Sequence, residues 1–142
     1  MNHDSYDPDM IRDILKNTRR IAMVGASPNP ARPSNGVLRF LLGKGYDVVP
    51  VNPGHAGKAF HGQTVVASLG DIDGPVDMVD VFRAADQLGS VVDEVLAMPH
   101  RPKVIWSQLG VRDDQAAERA EAAGITVVMD RCPAIEYPRL MG

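Results

Sequence analysis

The chain has 142 residues, of which 44% are hydrophobic and 23% charged, and its formal net charge at pH 7 is −3. This length and apolar content predict a single domain over residues 1–142 with a substantial buried core. The acidic balance argues against nucleic acid or an anionic membrane as a partner, and no stretch approaches the ~20 apolar residues of a membrane span. A single cysteine and the lack of an apolar secretion core predict a cytoplasmic protein.

The first predicted element is a helix within residues 1–18. Asp7 and Pro8 provide an N-cap followed by a proline at the first helical position. Apolar residues at helical spacing follow: Met10, Ile11, Ile14 and Leu15. We expect this helix to pack on the rest of the domain.

Residues 21–53 have the pattern of a strand, a tight turn, a helix and a second strand. The first apolar run ends in the small residues 25–27, a proline-rich turn follows, and Ser34 opens an amphipathic stretch. A second apolar run stops at Asn52. This order is typical of a parallel βαβ unit. Because the helix begins just beyond a strand, its unpaired N–H groups and positive dipole end favour an anion there.

The rest of the chain repeats the alternation. Strands are predicted at 76–82, 103–106 and 125–129, and helices at 84–98 and 113–123. Short apolar strands alternating with helices predict an α/β fold. The expected architecture is a Rossmann-like, doubly wound parallel sheet of about five strands with helices on both faces, preceded by the N-terminal helix.

In such a sheet the ligand binds across the carboxyl ends of the strands, at the switch in strand order. Small, polar or charged residues follow each predicted strand, whereas the strand bodies are mostly apolar. The strand tips therefore form a candidate site. They include Gly25, Ala26, Ser27, Asn52, Pro53, Phe82, Arg83, Gln108 and the segment 130–133.

The dinucleotide-binding fingerprint is incomplete in this chain. It requires G-x-G-x-x-G after the first strand and an acidic residue at the tip of the second. Here only Gly25 is in place, and the second strand ends at Asn52. Since a carboxylate there would repel a phosphorylated ribose, its absence disfavours NAD and leaves coenzyme A (CoA) and NADP open. Arg32, Lys58 and His55 could neutralise such a phosphate.

Several ordered motifs carry a family resemblance: V-G-A-S at 24–27, R-P-S at 32–34, Y-D-V-V-P-V-N-P at 46–53, V-D-V-F-R at 79–83 and W-S-Q-L-G-V at 106–111. From about Arg19 to Cys132 the chain resembles the small CoA-binding domain proteins. Those proteins are similar to the N-terminal nucleotide-binding domain of the succinyl-CoA synthetase alpha subunit. The resemblance implies a CoA-binding Rossmann-like fold.

The resemblance also assigns parts of CoA to residues of this chain. The resemblance implies that the phosphates are bound by residues of the first turn: Ser27, Arg32, Ser34 and Asn35. It implies that Asn52 and Pro53 flank the adenosine ribose. The pantetheine and adenine path is lined by Val81, Phe82 and Arg83, and Gln108 closes the far side.

The chain departs from the synthetase pattern in two respects. A lysine is common in that family soon after the Pro-Gly pair, where this chain has His55, with Lys58 as the nearest substitute. The phosphorylated histidine of the synthetase lies in a second domain, which this chain lacks together with the ATP-binding domain. The resemblance therefore implies binding and not thioester synthesis.

Other chemically capable residues are assigned structural roles. His55, His61 and His100 lack ligand spacing among themselves, so no metal is expected. Asp77 and Asp80 are expected near the start of their strand or at polar points of the sheet.

Two further residues near strand ends receive the same interpretation. Cys132 has Arg131 beside it but no adjacent histidine, so a small buried hydrophobic role is favoured over a nucleophile. Trp106 is assigned to the core in preference to stacking on adenine. No catalytic residue is predicted.

The predicted function is noncatalytic binding of CoA or acyl-CoA, because no nucleophile–base constellation is apparent. The alternative is an NADP-dependent oxidoreductase or redox sensor using the same crevice, disfavoured by the missing second glycine and by the lack of a substrate domain. A regulatory subunit with an unidentified enzyme partner is a third hypothesis. A homodimer is compatible with all three.

Overall fold

Strands and helices alternate along residues 1–141, the part of the chain described by this computed structural model. The elements are α1 (Pro8–Asn17), β1 (Arg20–Val24), α2 (Pro33–Gly43), β2 (Asp47–Val51), β3 (Ala59–Phe60), β4 (Gln63–Thr64), β5 (Met78–Val81), α3 (Leu88–Leu96), β6 (Val104–Ser107), α4 (Asp114–Ala122), β7 (Thr126–Val128) and α5 (Pro133–Met141). Five strands form a parallel sheet in the order β2-β1-β5-β6-β7, and β3 pairs with β4 as an antiparallel hairpin.

The sheet is covered on both faces. Alternate residues of each strand point to opposite sides, so Met23 and Met78 face α1, α2 and α5, whereas Val24 and Val79 face α3 and α4. Trp106 is wholly buried on the first of these faces, and its Nε1 donates to the Arg131 carbonyl at 2.9 Å. The Rossmann-like prediction is confirmed, and Trp106 lies in the core.

The observed elements differ in detail from the predicted ones. Strands β5 and β7 are shorter than predicted, and β6 is shifted by one residue. The segment 84–98 begins with a single 3-10 turn, Ala85–Gln87, before α3. Helix α5 and the hairpin β3–β4 were not predicted. Proline at 138 interrupts the helical pattern of α5, and the hairpin strands of two residues each are too short for a recognisable alternation.

Helix α4 is capped by the side chain of Asp113, whose carboxylate accepts a hydrogen bond from the Ala116 N–H at 3.1 Å. We expect Asp113→Ala to lower the free energy of unfolding by about 1 kcal/mol, because an N–H of the first turn loses its acceptor. Urea denaturation measures this. Glu118→Ala removes an exposed carboxylate from the same helix and is expected to change stability by less than about 0.5 kcal/mol. Equal losses in the two variants would contradict the capping role.

None of the helices within residues 1–141 has the length and apolar character required to cross a membrane.

Candidate ligand-binding site

The order of the strands reverses at β1. From β1 the chain passes to β2 on one side and later returns to β5 on the other. The carboxyl ends of β1 and β5 therefore flank the switch point, where ligands bind in open α/β sheets. A cavity of about 490 Å³ opens there. It is lined by Gly25, Ala26, Ser27, Arg32, Pro33, Ser34, Asn52, Phe82, Arg83, Gln108, Leu109, Val111 and Cys132.

Gly25 allows the ends of β1 and β5 to touch. Its φ is +83°, in the left-handed region. A Cβ added at this position would lie 2.2 Å from the carbonyl oxygen of Phe82. Its N–H donates to the Val51 carbonyl at 3.1 Å, which extends the ladder between β1 and β2 by one bond. The floor of the cavity at the switch point is therefore backbone, with no side chain between the two strands.

The turn between β1 and α2 is held by short polar side chains. The Ser27 N–H donates to Ser34 Oγ at 3.1 Å, and Ser27 Oγ accepts from the Asn29 N–H at 3.1 Å. Arg32 occupies the N-cap position of α2 without a side-chain hydrogen bond to the helix, and Pro33 follows it. The positive dipole end of α2 therefore lies at the cavity, and the side chain of residue 32 provides no carboxylate or hydroxyl to cap it.

Two asparagine side chains fix the backbone around this turn. Asn52 Nδ2 donates to the Ala26 carbonyl at 2.8 Å, and its Oδ1 accepts from the Gly54 N–H at 2.9 Å. Asn35 Nδ2 donates to the Ser27 carbonyl at 3.0 Å, and its Oδ1 lies 2.9 Å from His61 Nε2. Both amides thus shape the first turn, and Asn52 also lines the cavity.

The electrostatic character of the cavity is positive. Arg32 and Arg83 both line it and are exposed, whereas no carboxylate is among its lining residues. Neither Arg32 nor Arg83 takes part in an ion pair within residues 1–141, where the pairs are made by other arginines, His3 and the N-terminal amine. Within the same part of the chain, no group of three His, Cys, Asp or Glu side chains could hold a metal ion. Two guanidinium groups and a helix N-terminus suit a phosphorylated ligand.

The end of the cavity away from β2 is backed by a buried polar pair. Gln108 follows β6, and its Nε2 donates to Asp80 Oδ1 at 2.7 Å. Asp80 lies within β5 with no exposed surface, and its Oδ2 has no hydrogen-bond partner within residues 1–141. Burial raises the pKa of Asp80 to about 7, and the hydrogen bond from Gln108 opposes that shift.

Cys132 lies at the same end, just before α5. Only 9% of the residue is exposed. Burial raises the pKa of its thiol, although hydrogen bonds from the Ala134 and Ile135 N–H groups act in the opposite direction. The thiol is therefore protonated near neutral pH, which agrees with the hydrophobic role assigned to Cys132 from the sequence.

Comparison with known proteins identifies the family. A model of the CoA binding domain matches residues 19–138. The chain belongs to the CoA-binding domain family. The uncharacterized protein YneT of Bacillus subtilis (strain 168) is 40% identical over 122 residues, which are 86% of this chain and 87% of YneT.

Solved structures of similar chains have the same fold. The structure named cell-free ID.343 from Thermus thermophilus is 41% identical, with a TM-score of 0.89 over 95% of this chain and 99% of that one. A hypothetical protein from Pyrococcus horikoshii OT3 is 34% identical, with a TM-score of 0.90 over 100% of this chain and 97% of that one.

In this member of the CoA-binding domain family, the cavity brings together most of the residues predicted to bind ligand. Four predicted residues lie elsewhere. The Asn35 amide is occupied by Ser27 and His61, and Pro53 borders an adjoining recess with Asn52 and Arg83. Lys58 lies outside the cavity lining, with its Nζ 3.4 Å from His55 Nδ1, and the Val81 side chain is buried on the α3 and α4 face. Direct ligand contact stays a prediction for all of the predicted residues, inside the cavity and outside it.

The cavity also contains residues to which the sequence analysis assigned no contact with the ligand. Pro33, Leu109, Val111 and Cys132 complete its lining, and Asp80 lies behind Gln108. Cys132 belongs to the strand tip 130–133, which was predicted to lie at the site. Val111 ends the W-S-Q-L-G-V motif, but the resemblance assigned it no part of the ligand. Asp80 did carry a signal, because an aspartate inside an apolar strand is unusual.

Proposed function

We propose that the protein binds CoA, as the free thiol or as an acyl thioester, without covalent attachment and without catalysing a reaction on it. The observation that carries this proposal is the cavity at the switch point, where a helix N-terminus and two exposed arginines converge without a carboxylate. Membership of the CoA-binding domain family supports CoA as the ligand. A homodimer, an enzyme partner and a cytoplasmic location stay predictions.

The order of strand tips sets the direction of the ligand in this proposal. The adenosine ribose lies toward Asn52 after β2, and the phosphates lie at the start of α2 beside Ser27 and Arg32. The pantetheine arm then crosses the tip of β5 at Phe82 and reaches Gln108 after β6. Since these strands are neighbours in the order β2-β1-β5-β6, an extended ligand meets them in turn.

NADP is the second candidate, with an oxidoreductase or redox-sensing role. The observation that favours it is the absence of a carboxylate at the tip of β2, where Asn52 stands, because this tolerates a 2′-phosphate as well as it tolerates the 3′-phosphate of CoA. The remaining features of the cavity do not separate these two phosphorylated nucleotides.

Isothermal titration calorimetry of ligand-stripped protein distinguishes CoA from NADP as the ligand. CoA, NADP and NAD are titrated in parallel into the same preparation. Heat with CoA and none with the two dinucleotides supports the proposed function. Heat with NADP alone would overturn it and direct attention to hydride transfer, and no heat with any of them would overturn both candidates.

We expect Arg32→Ala and Arg83→Ala each to raise the Kd for CoA about tenfold, because each removes a charged donor from the cavity. The matched control is Arg39→Ala, which removes an exposed arginine from α2 outside the lining of this cavity. Titration calorimetry measures all three. An equal loss in the control would mean that net charge, and not contact, accounts for the effect.

A further inference from the structure

The buried carboxyl group of Asp80 lowers the stability of the fold, because it stands in a core strand. In the sheet it lies between Met23 of β1 and Trp106 of β6, both wholly buried. A carboxylate in this position loses its hydration and gains one side-chain hydrogen bond, while Oδ2 stays without a partner. An apolar side chain of similar volume would fill this space without that cost. Packing therefore does not explain why an aspartate stands here.

Asp80 determines which end of the Gln108 amide faces the cavity. Asp80 Oδ1 accepts a hydrogen bond from Gln108 Nε2 at 2.7 Å, so the amide turns its nitrogen toward Asp80 and its oxygen away from it. Gln108 Oε1 accepts no hydrogen bond from the residues that the structure describes, and Gln108 lines the cavity. The cavity wall beside Cys132 thus offers a carbonyl oxygen.

We propose that Asp80 is a positioning residue that fixes the Gln108 amide, so that the cavity presents a hydrogen-bond acceptor to the tail of the ligand. This inference rests on the proposed function. With the phosphates at α2, the order of strand tips brings the pantetheine arm to Gln108. That arm carries amide N–H groups and a terminal thiol, which are donors. Gln108 Oε1 accepts from one of them, and Asp80 does not touch the ligand.

The test compares a ligand that has the tail with one that lacks it. CoA and 3′-phospho-ADP share the phosphorylated ribose and the diphosphate, but only CoA carries pantetheine. Both are titrated into wild-type protein, Asp80→Leu and Asp80→Asn. We expect Asp80→Leu to bind 3′-phospho-ADP like the wild type and CoA about three- to tenfold more weakly, as the loss of one oriented hydrogen bond predicts. Asp80→Asn keeps an acceptor for Nε2 and is expected to stay within about twofold of the wild type for both ligands.

Each other outcome overturns the inference. Equal losses for the two ligands in Asp80→Leu would mean that residue 80 only maintains the fold of the site, and unchanged CoA binding would mean that the amide needs no orientation. An Asn variant as weak as the Leu variant would exclude the acceptor at residue 80 as the cause.

Two further results keep the inference distinct from the proposed function. If Asp80→Leu does not fold, Gln108→Met is measured with the same two ligands, where a loss for CoA alone supports the inference and no loss overturns it. Wild-type protein that binds both ligands equally well overturns the inference and leaves the proposed function standing. Wild-type protein that binds neither overturns both.

Discussion

Gly25→Ala is expected to lower the free energy of unfolding by about 3 kcal/mol or more and to abolish measurable CoA binding. Two effects add. The left-handed backbone at φ +83° costs an alanine roughly 1 to 2 kcal/mol. The new Cβ would also lie 2.2 Å from the Phe82 carbonyl oxygen, so the tips of β1 and β5 must separate. Because this oxygen belongs to the backbone of a core strand, it cannot move away as a flexible side chain would.

Gly45→Ala is the matched control for this prediction. Gly45 has φ +92°, and a Cβ there meets no atom within 4 Å. Gly45→Ala should therefore lose only the stability that the left-handed backbone costs an alanine, roughly 1 to 2 kcal/mol, and should bind CoA like the wild type. Urea denaturation and titration calorimetry on both variants measure the two quantities. Similar losses of stability and affinity in the two variants would show that the approach of Phe82 to Gly25 is not what the site depends on.

The fold could be predicted because its elements carry local patterns. Strands β1 and β2 are apolar runs that end at small residues or at Asn52, and α2 shows an amphipathic spacing between them. The two unpredicted elements lack such patterns. Helix α5 contains Pro138, and its packing against α1 and α2 stabilises it in spite of that residue.

The candidate site could be predicted to the extent that it follows from strand ends. Ser27, Arg83 and Gln108 each follow a parallel strand, and parallel strands bring their carboxyl ends to one edge. The contact between Gln108 and Asp80 could not be derived in this way, because it depends on the register between β5 and β6. Cys132 follows β7, so the same rule brings it to this edge, although the sequence analysis assigned it no contact with the ligand.

Asp80 is expected to make the wild-type protein less stable as the pH rises from about 4 to 7. Asp80→Asn should remove most of this pH dependence. Burial raises the pKa of Asp80 from 3.8 to about 7 in the folded protein. Below about pH 4 the carboxyl is protonated in both the folded and the unfolded chain, so it does not penalise folding. As the pH rises toward 7, the unfolded chain releases its proton and the folded chain keeps it, so folding becomes progressively less favourable. Above 7 the penalty is constant.

The size of this effect follows from the pKa shift. Each unit corresponds to about 1.4 kcal/mol, so a shift of about three units sets an upper limit of roughly 4 kcal/mol. Unfolding free energies of the wild type and Asp80→Asn are compared by urea denaturation between pH 4 and pH 8. We expect the advantage of the Asn variant to grow by about 2 to 4 kcal/mol over this range. Asp86→Asn, which removes an exposed carboxylate, controls for the change in net charge. An advantage that stays the same at pH 4 and pH 8 would mean that the buried Asp80 ionises as readily as it does in the unfolded chain, because its surroundings or bound water solvate the carboxylate.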